Sequence, residues 1–310
     1  MPDYYAHIMF ALDGCEQLEK NVSIDALKLG ALFADFTLYK TMPKDRKRAK
    51  HIAYLLHEEN TTLFYTHLVN AVKKHYSLDT YAFLLGALSH YSLDVHVNPY
   101  IIYHSNNDLN ERLAFIKNID LTLMKDTFNK APKKITMRDI LPSNKRLPYA
   151  LKTLAEDALY HTYDEASTGK LLSRSYQNMR FLVLNVFQDK TGLKYKVFKN
   201  LDRLKKSDFM LSSLINSKPL DQKDYLNLNQ RPWHHPVTKI VSHESVPALF
   251  EAAHLFFAEM VEQVDRYLFH DEAIDFDACF KNQSLNTGVS LESDQTVRMT
   301  INQVKNESNL

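Results

Sequence analysis

The chain has 310 residues, 45% hydrophobic and 24% charged, the make-up of an ordinary soluble globular protein of one large or two small domains. A formal net charge of +1 gives no global electrostatic case for nucleic acid or an anionic membrane, and only six glycines disfavour Gly-rich phosphate loops and turn-dense β architectures. Two cysteines, Cys15 and Cys279, cannot build a disulfide framework.

Successive helices are expected over the first 125 residues. Residues 3–20 carry Ile8, Ala11 and Leu18 at helical spacing, and 22–33 run into Leu29-Gly30-Ala31-Leu32-Phe33-Ala34-Asp35, a helix end and turn. Lys44 to Lys50 form a basic, solvated stretch. Residues 46–76 read as one or two amphipathic helices, with Ile52, Leu55, Leu56, Leu63, Phe64, Leu68 and Val72 inward. A buried helix spans 79–97 and is expected to stop before Pro99. Another covers 109–128. The basic, Pro-bearing stretch 129–148 reads as a long connection, and 149–190 return to helix. Residues 192–228, rich in Lys, read as irregular. Ser245-Val246-Pro247 opens a final helix over 245–269. The tail from about 290 is polar, although Thr296 to Val304 alternate like an edge strand. The fold class expected is all-α, in one domain over 1–290 with its metal-site core in about 1–125, followed by the tail 291–310. No stretch reaches about 18 apolar residues, and no signal-peptide pattern opens the chain, so a cytoplasmic location is expected.

Chemistry concentrates on the helix over 79–97. It is apolar nearly all round, yet His90 and Asp94 stand four residues apart on one face, with Gly86 one turn earlier to admit a close neighbour. A carboxylate on a buried helix is costly unless it is paired or coordinates a metal, and an imidazole one turn away is a natural zinc co-ligand. His7, Asp35 and His57 also lie in apolar settings: His7 beside Ile8 and Phe10, Asp35 at the end of 30–34, His57 at the end of 52–56.

These fragments, in this order, resemble the bacterial zinc-dependent phospholipase C family, all-helical relatives of the fungal single-strand-specific nucleases. Tyr5-Ala6-His7 is similar to that family's amino-terminal histidine motif, and Leu29 to Asp35 to its Leu-Gly-x-x-x-Pro-Asp turn, with Ala34 for the proline. Tyr54-Leu55-Leu56-His57 resembles its Tyr-x-x-His segment. His90-Tyr91-Ser92-Leu93-Asp94 followed by Asn98-Pro99-Tyr100-Ile101 resembles its His-Tyr-x-Leu-Asp-x-x-x-His-Pro-Tyr-Ile signature. Trp233-His234-His235-Pro236 and Asn282-Gln283-Ser284-Leu285-Asn286-Thr287-Gly288 are similar to its terminal patterns.

The resemblance implies a multi-helix bundle around a buried metal site. It makes Asp35, His57, His90 and Asp94 one zinc site, with Asp94 bridging to a second ion held by His7, so that one or two Zn²⁺ are expected. It also implies a lost third site. Asn98 stands for its histidine, and registering the ligand helix on Asp120 puts Arg112 and Ile116 where histidine and glutamate are expected. Two readings follow: Arg112 replaces the third ion by clamping a phosphate oxygen, or the site has decayed. His96, His104, Asp108 and Glu111 are candidate substitute ligands.

The implied activity is zinc-dependent hydrolysis of a phosphoester, with Asp35 and Arg112 as catalytic residues and a small phosphoester or phospholipid head group, from inside the cell, as substrate. A non-catalytic, metal-stabilised protein and a nuclease-like phosphodiesterase are the alternatives, the nuclease disfavoured by charge. The sequence says nothing of oligomeric state. Three further pairs read as structural: His161 with Glu165 on a surface, Glu251 with His254 on an amphipathic helix, and His234-His235 in a cap.

Overall fold

The computed structural model describes residues 3–39, 45–106, 108–205, 210–218, 220 and 222–291. The fold is all-α: among these residues the β structure is a two-residue antiparallel pair, β1 (Trp233–His234) with β2 (Val241–Ser242), and one isolated bridge. The alternation at Thr296 to Val304 and the rest of the tail beyond Leu291 lie outside the described residues, as does Lys44.

The fold is organised by α5 (Leu78–His104), which Ser77 and Thr80 start with a reciprocal capping box: Thr80 N donates to Ser77 Oγ at 3.1 Å and Ser77 N to Thr80 Oγ1 at 2.8 Å. It is buried on nearly every side from Thr80 to Ile101. Across it lies α2 (Ile24–Leu32), so close that side chains are excluded at the crossing. A Cβ on Gly30 would stand 2.0 Å from Phe83 O, and one on Gly86 2.1 Å from Leu27 O. The close neighbour expected of Gly86 is therefore the backbone of α2. That crossing sets the chain that follows: α2 tightens into a 3₁₀ segment, Phe33–Tyr39, which carries Asp35 inward.

Four other helices of the amino-terminal half build outward from this crossing. One is α1 (Tyr4–Gln17). The next two, α3 (Arg46–Glu58) and α4 (Thr61–Lys74), divide the expected 46–76 region at Asn60, whose φ is 45°. Then comes α6 (Leu109–Phe128), capped by Asp108 Oδ1 accepting from Glu111 N at 2.8 Å. The 129–148 connection contains a short 3₁₀ turn, Pro132–Lys134, and α7 (Met137–Ile140). The 149–190 region is α8 (Tyr149–Tyr163) and α9 (Gly169–Phe181), ending in a π-helical turn over Leu182–Phe187. After the β pair, α11 (Val246–His270) packs along α5, where Ser92 Oγ donates to Ala253 O at 2.6 Å; α12 (Phe276–Phe280) follows. One hydrophobic core runs from Tyr4 to Leu285.

Two expectations are corrected. The helix over 79–97 does not stop before Pro99 but continues to His104. Proline lacks the N–H that would bond the carbonyl of Val95. Here that carbonyl faces Gly288, where a Cβ would come within 2.3 Å, so the disrupted turn is covered by close-packed chain rather than solvent. The stretch 192–228 is not irregular throughout: α10 (Leu193–Lys205) occupies its first third. Its leucines face outward, so a search for inward apolar periodicity misreads it.

Candidate metal centre

Five polar side chains converge beside the α2–α5 crossing: His7 from α1, Asp35 from the 3₁₀ segment, His57 from the last turn of α3, and His90 and Asp94 from α5. Asp94 is at the middle. Its Oδ1 is 3.4 Å from His7 Nε2, and its Oδ2 is 3.3 Å from His90 Nε2 and 3.9 Å from His57 Nε2. Asp35 Oδ1 is 3.3 Å from His57 Nε2. The rings of His7 and His90 stack at 3.9 Å, nearly parallel at 7°. Ligand atoms of His7, Asp35 and His90 lie within 4.8 Å of one another, and so do those of His57, His90 and Asp94.

Two imidazoles are fixed from behind. Nδ1 of His57 is 2.7 Å from Ala53 O, and Nδ1 of His90 is 2.8 Å from Ala31 O. A carbonyl only accepts, so Nδ1 carries the proton in each ring and a neutral ring turns its Nε2 lone pair into the cluster. Metal-ligating histidines are held in this way. The α2–α5 crossing supplies the His90 partner directly, because Ala31 follows Gly30.

All five are buried, His7, His90 and Asp94 completely at their side chains, while Asp35 retains 8% exposure. Yet none of His7 Nε2, His57 Nε2, His90 Nε2, Asp35 Oδ1 and both Asp94 oxygens makes a hydrogen bond. Buried polar groups are seldom left so, and a convergent set of orphans fits a ligand that all of them would bind. Two or three imidazoles with carboxylates suit Zn²⁺.

Charge is distributed unequally. Burial raises the cost of ionising Asp94, but the charges of His90 and His7 outweigh it and hold the carboxyl well below its usual range. Asp35 is likewise lowered against its burial, by its contact with His57 and the charge of His90. Burial disfavours the charged form of His90 too, but Asp94 and then Asp35 raise it to about 9. His7, buried and stacked on that ring, is pushed down to about 3. Two stacked imidazolium ions would repel, and one proton is shared out to one ring.

Around this set stands a second layer. Glu58, next to His57, accepts from Ser284 Oγ at 2.7 Å and from Asn286 Nδ2, and burial raises its pKa. Asn286 Oδ1 in turn accepts from a guanidinium nitrogen of Arg112 at 2.7 Å. Arg112 lies in the field of Asp94, Glu58 and Asp35. Asn98 donates through Nδ2 to Leu285 O at 2.6 Å, and its Oδ1 is unpartnered. Ile116 is buried in the core. Asp120 accepts at 3.1 Å from both Tyr5 N and Ala6 N, so it anchors the first turn of α1 and thereby His7.

The structure also fixes what the sequence left open. His96 donates to Ser92 O, His104 stacks on Phe115, Asp108 caps α6, and Glu111 lies against Asn106; no converging group of potential ligands among the described residues includes any of them. Glu165 pairs with Arg48 and His161 with Asp157, apart from each other. His254 pairs with Asp13 and stacks on Phe10. Trp233 packs on Tyr100 and donates to Glu244 O, a structural post, while His235 contacts Thr287 O. Sequence reasoning missed the Glu58–Asn286–Arg112 chain. Its signal was present in Glu58, which follows His57, and in the Asn-x-Ser-x-x-Thr-Gly segment.

No curated protein and no solved structure matches the chain. Residues 5–151, which include all five converging side chains with Asn98, Arg112 and Asp120, match the sequence model of the family described as zinc dependent phospholipase C. Through this segment, just under half of its length, the chain is similar to the zinc-dependent phospholipase C family.

Proposed function

We propose that this protein hydrolyses a phosphoester, a phospholipid or a small head-group ester, with zinc held by His7, Asp35, His57, His90 and Asp94. A phospholipase C-like function is supported by the family match. The observation that carries the residue assignment is the buried convergence of unpartnered ligand atoms on rings locked from behind. The two oxygens of Asp94 face different histidines, which supports a bridging role and two ions rather than one. When bound, zinc supplies Lewis acidity toward a phosphoryl oxygen and toward water.

The chain's own residues do the rest. Asp35 stands at the more open edge, ionised, and orients or deprotonates the attacking water. Arg112 takes the place of the third ion that Asn98 and Ile116 cannot hold. Positioned by Asn286, its guanidinium binds a phosphoryl oxygen as negative charge grows in the transition state. Glu58 holds Asn286 and acts as a positioning residue.

The test is metal content by mass spectrometry on protein purified without chelator, with hydrolysis of a chromogenic phosphocholine ester by wild type, His90→Ala and Arg112→Gln. The expected result is about two zincs per chain, activity lost in His90→Ala, and a drop of about 100-fold in Arg112→Gln with zinc retained. Equal rates in wild type and His90→Ala would sink the catalytic assignment. A second reading, a metal that only stabilises the fold, is favoured by the burial of all five side chains. It predicts zinc bound, stability lost on chelation, and no hydrolysis.

A further inference from the structure

The described residues leave one helix with two contrasting faces and a partner for only one. On α10, Tyr195 and Phe198 pack against the core, and Asp202, the acidic residue of the helix, accepts from Leu211 N at 3.1 Å and Ser212 N at 2.9 Å. These positions are three and four apart and share the inner face. On the opposite face stand Leu193, Val197, Leu201 and Leu204, at i, i+4, i+8 and i+11. Leu193 is 64% exposed and Leu204 81%. Single exposed leucines need no explanation, but a continuous outward stripe does.

What could cover that stripe is narrowed by the charges beside it. Lys196, Lys199 and Arg203 line one flank, Lys194 on the other side ties its ammonium to Asn185 O and Gln188 O, and the acidic group is turned inward. An apolar stripe beside a basic flank fits a surface with an apolar interior and anionic head groups. A second copy of the helix fits less well, because antiparallel pairing would set lysines of one copy against lysines of the other. The chain-wide charge of +1 hides this local excess.

We propose that α10 docks this protein, in the plane of the interface, on anionic phospholipid bilayers. A helix of thirteen residues is about 20 Å long, too short to cross a bilayer, and no helix among the described residues is long and apolar enough to do so. The inference rests on the outer face of α10 and not on the catalytic reading. If that reading also holds, docking delivers the enzyme to phospholipid in a membrane rather than to a free ester.

The experiment is co-sedimentation of the full, zinc-loaded chain with phosphatidylcholine vesicles containing about one-third phosphatidylserine, and with pure phosphatidylcholine vesicles, at low and high salt. Variants are Val197→Ser/Leu204→Ser, which removes apolar surface from exposed positions, and Lys196→Glu/Arg203→Glu, which reverses one flank. The expected result is binding to the anionic vesicles only, weakened by salt and reduced about tenfold or more in each variant, while circular dichroism and metal content stay unchanged. Failure of the wild type to sediment with anionic vesicles overturns the proposal. So does equal binding by both variants. A concentration-dependent dimer that the serine variant abolishes, with no vesicle binding, would assign the stripe to a second copy instead. Hydrolysis is read separately, so loss of the catalytic reading leaves the binding result intact.

Discussion

Two buried polar clusters stand on either side of the first turns of α1, and they are built on opposite principles. Around Lys117, which is 1% exposed, every charge finds a partner. Its Nζ donates to Asp3 Oδ2 at 2.9 Å and Tyr4 Oη at 3.0 Å, Tyr39 Oη donates to Asp3 Oδ1, and Asp120 accepts two backbone N–H groups. Around Asp94 the histidines and carboxylates approach at 3.3–3.9 Å without hydrogen bonds. A satisfied buried cluster explains itself as architecture. An unsatisfied one, at the same depth, asks for something that all its members can bind. The satisfied cluster serves the other, because Asp120 seats the turn that presents His7.

The contrast can be broken most forcefully from the unsatisfied side. Removing zinc should lower stability by about 4 kcal/mol where free zinc had been a thousandfold above its Kd, and Asp94→Ala should erase the difference between loaded and chelated protein in calorimetry. An unchanged melting curve on chelation would mean that the fold does not need the ion. On the satisfied side, Lys117→Met should cost about 3–5 kcal/mol in denaturant unfolding, since it leaves Asp3 without its buried cation. Adding Asp3→Asn should recover part of that, whereas no such rescue exists for Asp94.

A smaller effect, about 1–3 kcal/mol, is expected of Gly86→Ala, which forces a methyl into the α2 backbone. Because Ala31 O orients His90, zinc affinity should fall along with stability, and titration calorimetry would register both. Loss of stability with unchanged affinity would uncouple the crossing from the site.

The finest distinction is in pH. In zinc-free protein His90 is raised to about 9 from an unfolded value near 6.5, so its contribution is complete below 6.5 and disappears as pH rises toward 9. His7 is lowered to about 3, so the unfolded chain binds the extra proton between 6.5 and 3 and stability falls as pH drops through that window. The pair should therefore place a maximum in the thermal midpoint of zinc-free protein near pH 6.5, one that His7→Gln/His90→Gln flattens. An identical profile in the double variant would count against the assignment.

Much of this was legible from residue order. The apolar run around His90 and Asp94 announced a buried helix with an expensive carboxylate, and Gly86 announced a close neighbour, because only a missing side chain permits one. The five converging residues lie on four separate elements and could be assembled only through resemblance, since spacing within a helix says nothing about what meets it from another. The continuation of α5 through Pro99 was hidden for the same reason: what faces the Val95 carbonyl, Gly288, lies almost two hundred residues away. In α10 the pattern was present but inverted, with leucines outward, and a rule that sends leucines to the core discarded it. Nor did Asp120 reveal its part, because a carboxylate that anchors another helix's backbone looks in sequence like any other acidic residue.

The segment 282–291 has a consequence for the order in which the molecule can be made. Leu285 N bonds His57 O, Tyr91 Oη donates to Phe280 O, and Ser284 and Asn286 hold Glu58. A ribosome that has released the first 151 residues has delivered every proposed zinc ligand but nothing to seal their surroundings. Until the last quarter of the chain emerges, Glu58 and the His57 carbonyl are without these partners and the α5 face that α11 covers is open. Assembly of the centre therefore waits for the segment 282–291, although its residues precede that segment by almost two hundred positions or more.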